Sequence, residues 1–207
     1  MKDDIIIGLR NVSKTLKGKK ILDNISVSFE KGKIYGIVGP NASGKTMLLR
    51  AIAKLLYLSE GEVLYTPKNI SIGIIVENPG FLLSYTGFEN LKILAQIKNL
   101  ITTEEIKGAM IEVGLEPNDT RKVKEYSLGM KQKLALAQAM MERPQVIILD
   151  EPTRGLDEES VINIRQLLLR KNQDGATILI SSHNPGDIEE MCNTVLRIEN
   201  GRIKIEA

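Results

Sequence analysis

The eight residues "GPNASGKT", 39–46, constrain this chain more than any other stretch. They match the pattern G-x-x-x-x-G-K-[ST] without a gap. They follow the apolar run "IYGIV", 34–38, and open a helix-like segment, "GKTMLLRAIAKLLY", 44–57. A strand that passes through a tight glycine turn into a helix is the context this motif needs. Successive backbone N–H groups around such a turn form a concavity for phosphate oxygens. The helix adds further free N–H groups and the positive end of its dipole. Gly39, Pro40, Asn41, Ala42, Ser43, Gly44 and Lys45 are therefore expected to wrap a phosphate chain. The Lys45 ammonium would reach the β- and γ-phosphates, and the Thr46 hydroxyl would ligate Mg²⁺.

The remaining pattern supplies a sheet for that loop. Strands are expected at 5–9, 25–29, 34–38, 61–65 and 70–76, with a turn at 31–33 and Pro67 separating the last two. From about 87 to 143 the pattern is mainly helical, in "GFENLKILAQIKN", "TTEEIKGAMIEVG" and "LGMKQKLALAQAMME". Thr103 is the expected cap of the second of these, with Glu104 and Glu105 in its first turn. This stretch reads as a helical subdomain, 87–143, inserted into one domain spanning 1–207. Alternation of strand and helix then returns: "VIILD", "EESVINIRQLLLRKN", "ATILISS", the short helix "DIEEMCN", and a terminal hairpin of "TVLRI" and "RIKIE" across "ENG". Strands interleaved with long helices argue an α/β fold with a mostly parallel, three-layer core.

Three further groups carry chemistry. In "VIILDEP", 146–152, a buried strand delivers Asp150 and Glu151 at its end. Parallel sheets bind ligands at the carboxyl ends of their strands. These carboxylates approach the phosphate loop if the two strands are neighbours. Asp150 would hold the hydration shell of Mg²⁺, and Glu151 would accept a proton from an attacking water. His183, the single histidine, follows the apolar run "ILISS" at the same sheet edge, within reach of a γ-phosphate or the water. In "YSLGMKQ", 126–132, Ser127 is an N-cap whose capping box is incomplete, because Met130 stands where Glu or Gln would be. Gly129 lets the backbone come close to a ligand. The amino end of that helix is thus a second candidate phosphate site.

Composition closes off other classes. With 28 Lys and Arg against 26 Asp and Glu, the net charge is +2, which gives no electrostatic case for nucleic acid. The lone Cys192 cannot form an internal disulfide, which suits a reducing compartment. No run of 18 apolar residues occurs, and "MKDDIIIGL" carries acids and too short an apolar stretch for a signal peptide. A role at a membrane would need another chain to span it.

Taken in order, these motifs resemble an ABC transporter ATP-binding subunit, from Asn11 to the last strands. "GPNASGKT" resembles the Walker A loop and "VIILDEP" the Walker B strand, with Glu151 as general base. "YSLGMK" resembles the signature motif, "RGLD" at 154–157 the D-loop, and His183 the switch histidine. The resemblance implies a P-loop NTPase fold of the ABC type, with a mostly parallel core sheet, an N-terminal antiparallel β region and the inserted helical subdomain. It implies Mg-dependent hydrolysis of ATP. It also implies a head-to-tail pair of ATP-binding subunits, identical or different. In that pair Ser127 and Gly129 grip the partner's nucleotide and Asp157 lies at the interface.

The sequence departs from the family pattern at three places. Leu128 and Met130 replace a glycine and a glutamine of the signature. Glu77, in "ENPGF", stands where a metal-ligating glutamine is usual. Leu16 occupies the position of the aromatic residue that stacks on adenine. Glu77, "TGFENL" and "SLGMKQ" together look like the ATPases of bacitracin-resistance and lantibiotic-immunity transporters. Those subunits work with a separate transmembrane permease, on the cytoplasmic side of the membrane. Phe81, Leu82, Leu83 and Tyr85 would either meet that permease or pack the helices onto the sheet. The competing classes are a soluble ABC ATPase, for example in cofactor assembly, and a non-hydrolysing scaffold. Intact Lys45, Asp150, Glu151 and His183 argue against the scaffold.

Overall fold

A computed structural model describes residues 4–76 and 80–206. Its first sheet is antiparallel. β1 (Ile5–Leu16) and β2 (Lys19–Glu30) form a long hairpin, and β4 (Glu60–Tyr65) pairs with the other edge of β1. Lys17 and Gly18 turn the hairpin with φ of 48° and 77°. Two consecutive positive φ values give the twist that matches right-handed strands. Both strands are far longer than the expected 5–9 and 25–29. Their alternation is interrupted at Asn11 and Asn24, which adopt φ of 51° and 52° where the register shifts. Such bulges leave backbone groups unpaired. Here the Asn11 N–H donates to Ser26 Oγ at 2.9 Å, and the Asn24 N–H to Ser13 Oγ at 3.0 Å.

The second sheet comprises β3 (Ile34–Val38), β5 (Ile72–Ile75), β6 (Val146–Asp150), β7 (Thr177–Ser181), β8 (Thr194–Glu199) and β9 (Arg202–Glu206). Its order is β5-β6-β7-β3-β8-β9, parallel except for the terminal β8–β9 hairpin. Strands buried on both faces read as unbroken apolar runs, and the two faces divide β6 cleanly. Ile147 and Leu149 join the core under the helices, while Val146 and Ile148 join the core under the antiparallel sheet.

The helices are α1 (Lys45–Ile52), α2 (Gly87–Lys98), α3 (Thr103–Glu112), α4 (Leu128–Met140), α5 (Glu158–Gln173) and α6 (Pro185–Met191). α2, α3 and α4 occupy the chain between β5 and β6, along the stretch expected to be helical. Several boundaries differ from expectation. α1 stops before 57, because Lys54 turns to φ 62°. Its N–H bonds to Ala51 O at 3.2 Å, and the Leu55 N–H bonds to Arg50 O at 2.9 Å. This is the paired closure of a Schellman end. Thr102, not Thr103, caps α3 and forms a complete capping box with Glu105. α6 begins at Pro185 rather than 187, behind the Asn184 cap. β5 is shorter than 70–76.

Candidate functional site

β3 carries the chain to the phosphate loop, and the loop's backbone explains its glycines. Gly39 has φ 150°, and a Cβ there would stand 2.2 Å from the carbonyl oxygen of Ile198 on β8. Gly44, at φ 115°, is the N-cap of α1, and its Cβ would stand 2.9 Å from Ile21 O. Ala42 takes φ 60° between them. No side chain caps α1 and no acid lies in its first turn, so its positive end faces the loop unopposed. Lys45 is buried, and its ammonium donates to Gly39 O at 2.8 Å and to Pro40 O at 3.1 Å. The Ser43 hydroxyl is buried without a hydrogen-bond partner among the described residues. A buried polar atom left unmatched is costly, and here it sits in a cradle shaped for oxyanions.

The strand carrying Asp150 is not the neighbour of the loop strand, because β7 lies between β6 and β3. The groups meet nonetheless, since α1 crosses back over β6 and β7. The Thr46 hydroxyl donates to Asp150 Oδ2 at 2.7 Å, and the Ser181 hydroxyl donates to Asp150 Oδ1. A hydroxyl and a carboxylate held together at a phosphate loop are hard oxygen ligands of the kind Mg²⁺ takes. The donor set therefore fits that ion.

Glu151 has φ 52°. A non-glycine residue held in that region costs on the order of 1–3 kcal/mol and persists only where its surroundings over-determine it. Its N–H donates to Ser181 O at 2.9 Å. The Gln132 amide on α4 donates to Pro152 O at 2.9 Å and to Glu151 O at 3.3 Å. The resulting turn aims the carboxylate toward His183. Oε2 accepts the His183 N–H at 3.2 Å, and His183 Nε2 stands 3.5 Å from Oε1. Oε1 itself is buried with no hydrogen-bond partner among the described residues. It is an acceptor waiting for a donor.

Thr46, Asp150 and Glu151 line a cleft of about 550 Å³ with Ile75, Leu128, Gln132 and Arg154. A cleft of similar size, about 590 Å³, lies at the opposite ends of β6 and β7 beside Pro144 and Ala176, away from these groups. Gln132 was not singled out from the sequence; its polarity amid the apolar face of α4 was the available sign.

Ser127 caps α4 as expected, its hydroxyl accepting the Met130 N–H at 3.1 Å. Ser127 is exposed and lies outside the cleft lining, whereas Leu128 enters it. Leu128 also leans on the loop at 154–157: a Cβ on Gly155 would stand 2.8 Å from its Cδ2. A Cβ on Gly129 would stand 3.3 Å from Gly155 O. Met130 is half-buried against the helical core. Asp157 is the N-cap of α5, accepting the Ser160 N–H at 2.8 Å and its hydroxyl at 2.9 Å. The Ser160 backbone bond, then its hydroxyl, hold that carboxyl below its usual value. Leu16 is exposed at the end of β1, beside the hairpin turn. Glu77 lies outside the described residues.

Comparison with known proteins agrees with this geometry. The family model described as "ABC transporter" matches residues 22–154. The ABC transporter ATP-binding protein YybJ of Bacillus subtilis is 42% identical, over 96% of this chain and 95% of that protein. The bacitracin transport ATP-binding protein BcrA of Enterococcus faecalis is 33% identical, over 97% of this chain and 68% of that one. The lantibiotic transport ATP-binding protein SrtF of Streptococcus pyogenes is 30% identical, over 97% and 90%. The dimeric bacterial ABC transporter cassette MJ0796 superposes with a TM-score of 0.90 at 24% identity, over 97% of this chain and 98% of that one; at that identity the likeness shows the fold. The loop at 39–46, the carboxylates at 150 and 151 and the helix end at 127 thus lie in a chain that belongs to the ABC transporter family, as an ATP-binding subunit.

Proposed function

We propose that this chain hydrolyses ATP to power a separate membrane permease that exports, or confers immunity to, a hydrophobic or peptide antibiotic. The observation that carries the catalytic half is the buried Glu151 Oε1, which has no hydrogen-bond partner among the described residues, beside His183 and the Thr46–Asp150 pair. The triphosphate would lie along residues 39–46. Lys45 would turn from the carbonyls of Gly39 and Pro40 to the β- and γ-phosphate oxygens. Glu151 would accept a proton from the attacking water, and His183 would steady the γ-phosphate. Mg²⁺, held by Thr46 and Asp150 with Glu77 as the third expected ligand, would neutralise phosphate charge. Leu16 would offer the base dispersion but no ring stacking.

Ser127 and Gly129 would serve the nucleotide of a second ATP-binding subunit, with Asp157 between the two sites. The helices within 87–143 would form the inserted subdomain that meets the permease. Phe81 is packed against the core, while Leu82, Leu83 and Tyr85 remain exposed beside α2. No helix among the described residues is long and apolar enough to cross a membrane. A permease would hold this subunit peripherally on the cytoplasmic face, as in the transporters whose ATPases the chain resembles. The antibiotic substrate rests on the printed names of the bacitracin and lantibiotic relatives.

The test is co-purification. Tagged protein carrying Glu151→Gln is drawn from gently solubilised native membranes with ATP present, and retained chains are identified by mass spectrometry. A multi-spanning protein in stoichiometric amount is expected. A soluble partner alone, reproduced across mild detergents, moves the protein to the soluble ATPases, such as those of cofactor assembly.

A further inference from the structure

The Asp187 carboxylate is completely buried, and three side chains converge on it. Oδ2 accepts the hydroxyl of Thr153 at 2.6 Å and that of Ser182 at 2.7 Å. Oδ1 accepts Nε–H of Arg165 at 2.7 Å. Arg165, on α5, also donates through Nη1 to Glu190 at 2.7 Å. A buried carboxylate needs a compensating charge and filled lone pairs to be tolerated, and this one has both. Its hydroxyl donors come from two different loops. Thr153 follows Glu151 by two residues, across Pro152. Ser182 directly precedes His183. The Ser182 hydroxyl in turn accepts the Asn184 N–H at 3.0 Å, so it also fixes the turn that presents the histidine.

From this convergence we infer that Asp187 is a positioning residue, which holds the loop of Glu151 and the loop of His183 in one fixed relation. Two of the ties that join those loops flank the Glu151–His183 contact. On one side is the backbone bond from Glu151 N–H to Ser181 O; on the other is Thr153–Asp187–Ser182. Between them Glu151 is kept at φ 52°, with its carboxylate against the His183 N–H. With the second tie cut, Glu151 can relax toward an unstrained backbone and swing its carboxylate away from the water. None of the residues 39–46 bonds directly to Asp187, Thr153 or Ser182, so the phosphate loop is expected to keep its shape. ATP binding and turnover should therefore separate. Misplacing a catalytic group by about 1 Å is enough to cost on the order of 100-fold in rate.

This inference rests on the reading of Glu151 as the base, and the experiment keeps the two apart. Steady-state ATPase assays with Mg-ATP compare wild type with Thr153→Val, Thr153→Ser, Ser182→Ala and Asp187→Asn, with circular dichroism as the folding control. Thr153→Val is expected to lower kcat about tenfold or more with KM for ATP within about twofold, and Thr153→Ser to restore it. Residual turnover of Glu151→Gln and of Glu151→Gln with Thr153→Val, followed with γ-labelled ATP, supplies the second reading. If the tie acts through Glu151, the added substitution costs nothing further in that background. A Thr153→Val protein with wild-type kcat overturns the inference, as does an undiminished loss on top of Glu151→Gln. A Glu151→Gln protein that turns over normally overturns the base assignment instead. Should Asp187→Asn not fold, the Thr153 pair alone decides.

Discussion

Gly39 and Gly108 are the same residue type in opposite structural settings. A Cβ at Gly39 would sit 2.2 Å from a backbone oxygen of Ile198, and the residue's φ of 150° is one few side chains adopt. β8 is an interior strand, hydrogen-bonded to β3 on one side and β9 on the other, so the clash falls on paired backbone. Gly39→Ala is expected to move the phosphate loop, to abolish binding of a fluorescent ATP analogue and to lower stability by about 1–3 kcal/mol, as overpacking does. Gly108 lies inside α3 with nothing within 4 Å of its Cβ position. Gly108→Ala should raise stability by roughly 0.5–1 kcal/mol through helix propensity alone, with ATP affinity unchanged. Urea midpoints and analogue titrations on both variants decide; equal behaviour of the two would refute the steric account. The phosphate loop, Asp150, Glu151 and His183 were legible because their types and spacing are local signals. Gln132 and Asp187 were not. Each acts on the Glu151 loop from 20 or 34 residues away, and their bonds exist only once α4 and α6 have packed.

The caps that end and start the helices follow the same division. Complete capping boxes open α2, from Thr86 and Glu89, and α3, from Thr102 and Glu105. Both were readable as a threonine followed three residues later by glutamate, but Thr103 competed with Thr102 for the second. The antiparallel strands were shortened in the sequence reading because Asn11 and Asn24 break the alternation, and a bulge shows itself only when the partner strand is known. The boxes make an acid-dependent prediction. The Thr86 N–H, accepted by Glu89, lowers that carboxyl below its usual value of 4.5. The Thr102 N–H does the same for Glu105. A carboxyl whose pKa is depressed on folding contributes stability above its unfolded value, and that contribution is lost as pH falls through the folded value. Glu89→Ala with Glu105→Ala should therefore lower the urea midpoint at pH 7, and the gap from wild type should close as pH drops below 4.5. A gap that stays constant down to pH 3 would assign the loss to something other than the ionised boxes.

A single copy of the chain surrounds its phosphate loop from one side. The cleft at Thr46, Asp150 and Glu151 takes Leu128 and Gln132 from α4, while Ser127, at the positive end of that helix, stays exposed outside it. No acid lies in the first turn of α4, so this end has an anion-binding field with no anion of its own chain to meet. A second subunit set head to tail would bring a nucleotide there. The union would be conditional, because the γ-phosphate supplies part of the attraction and leaves the site once hydrolysis has cut it free and the phosphate is released. Substituting Glu151 by glutamine keeps the side chain's shape, removes the base and removes one negative charge facing the phosphates. This variant should bind ATP as wild type does, lose nearly all turnover, and elute from gel filtration as a dimer with ATP and a monomer without it. The proportion of dimer should rise with protein concentration, since the partner is itself a ligand. Placing Ser127→Arg on the same background fills the helix end with a bulky cation and occupies the space a neighbouring phosphate would need. It should return the protein to a monomer while analogue binding at the phosphate loop persists. A dimer that survives Ser127→Arg, or forms without ATP, would mean that the chains associate through another surface and that the exposed helix end serves only as a cap.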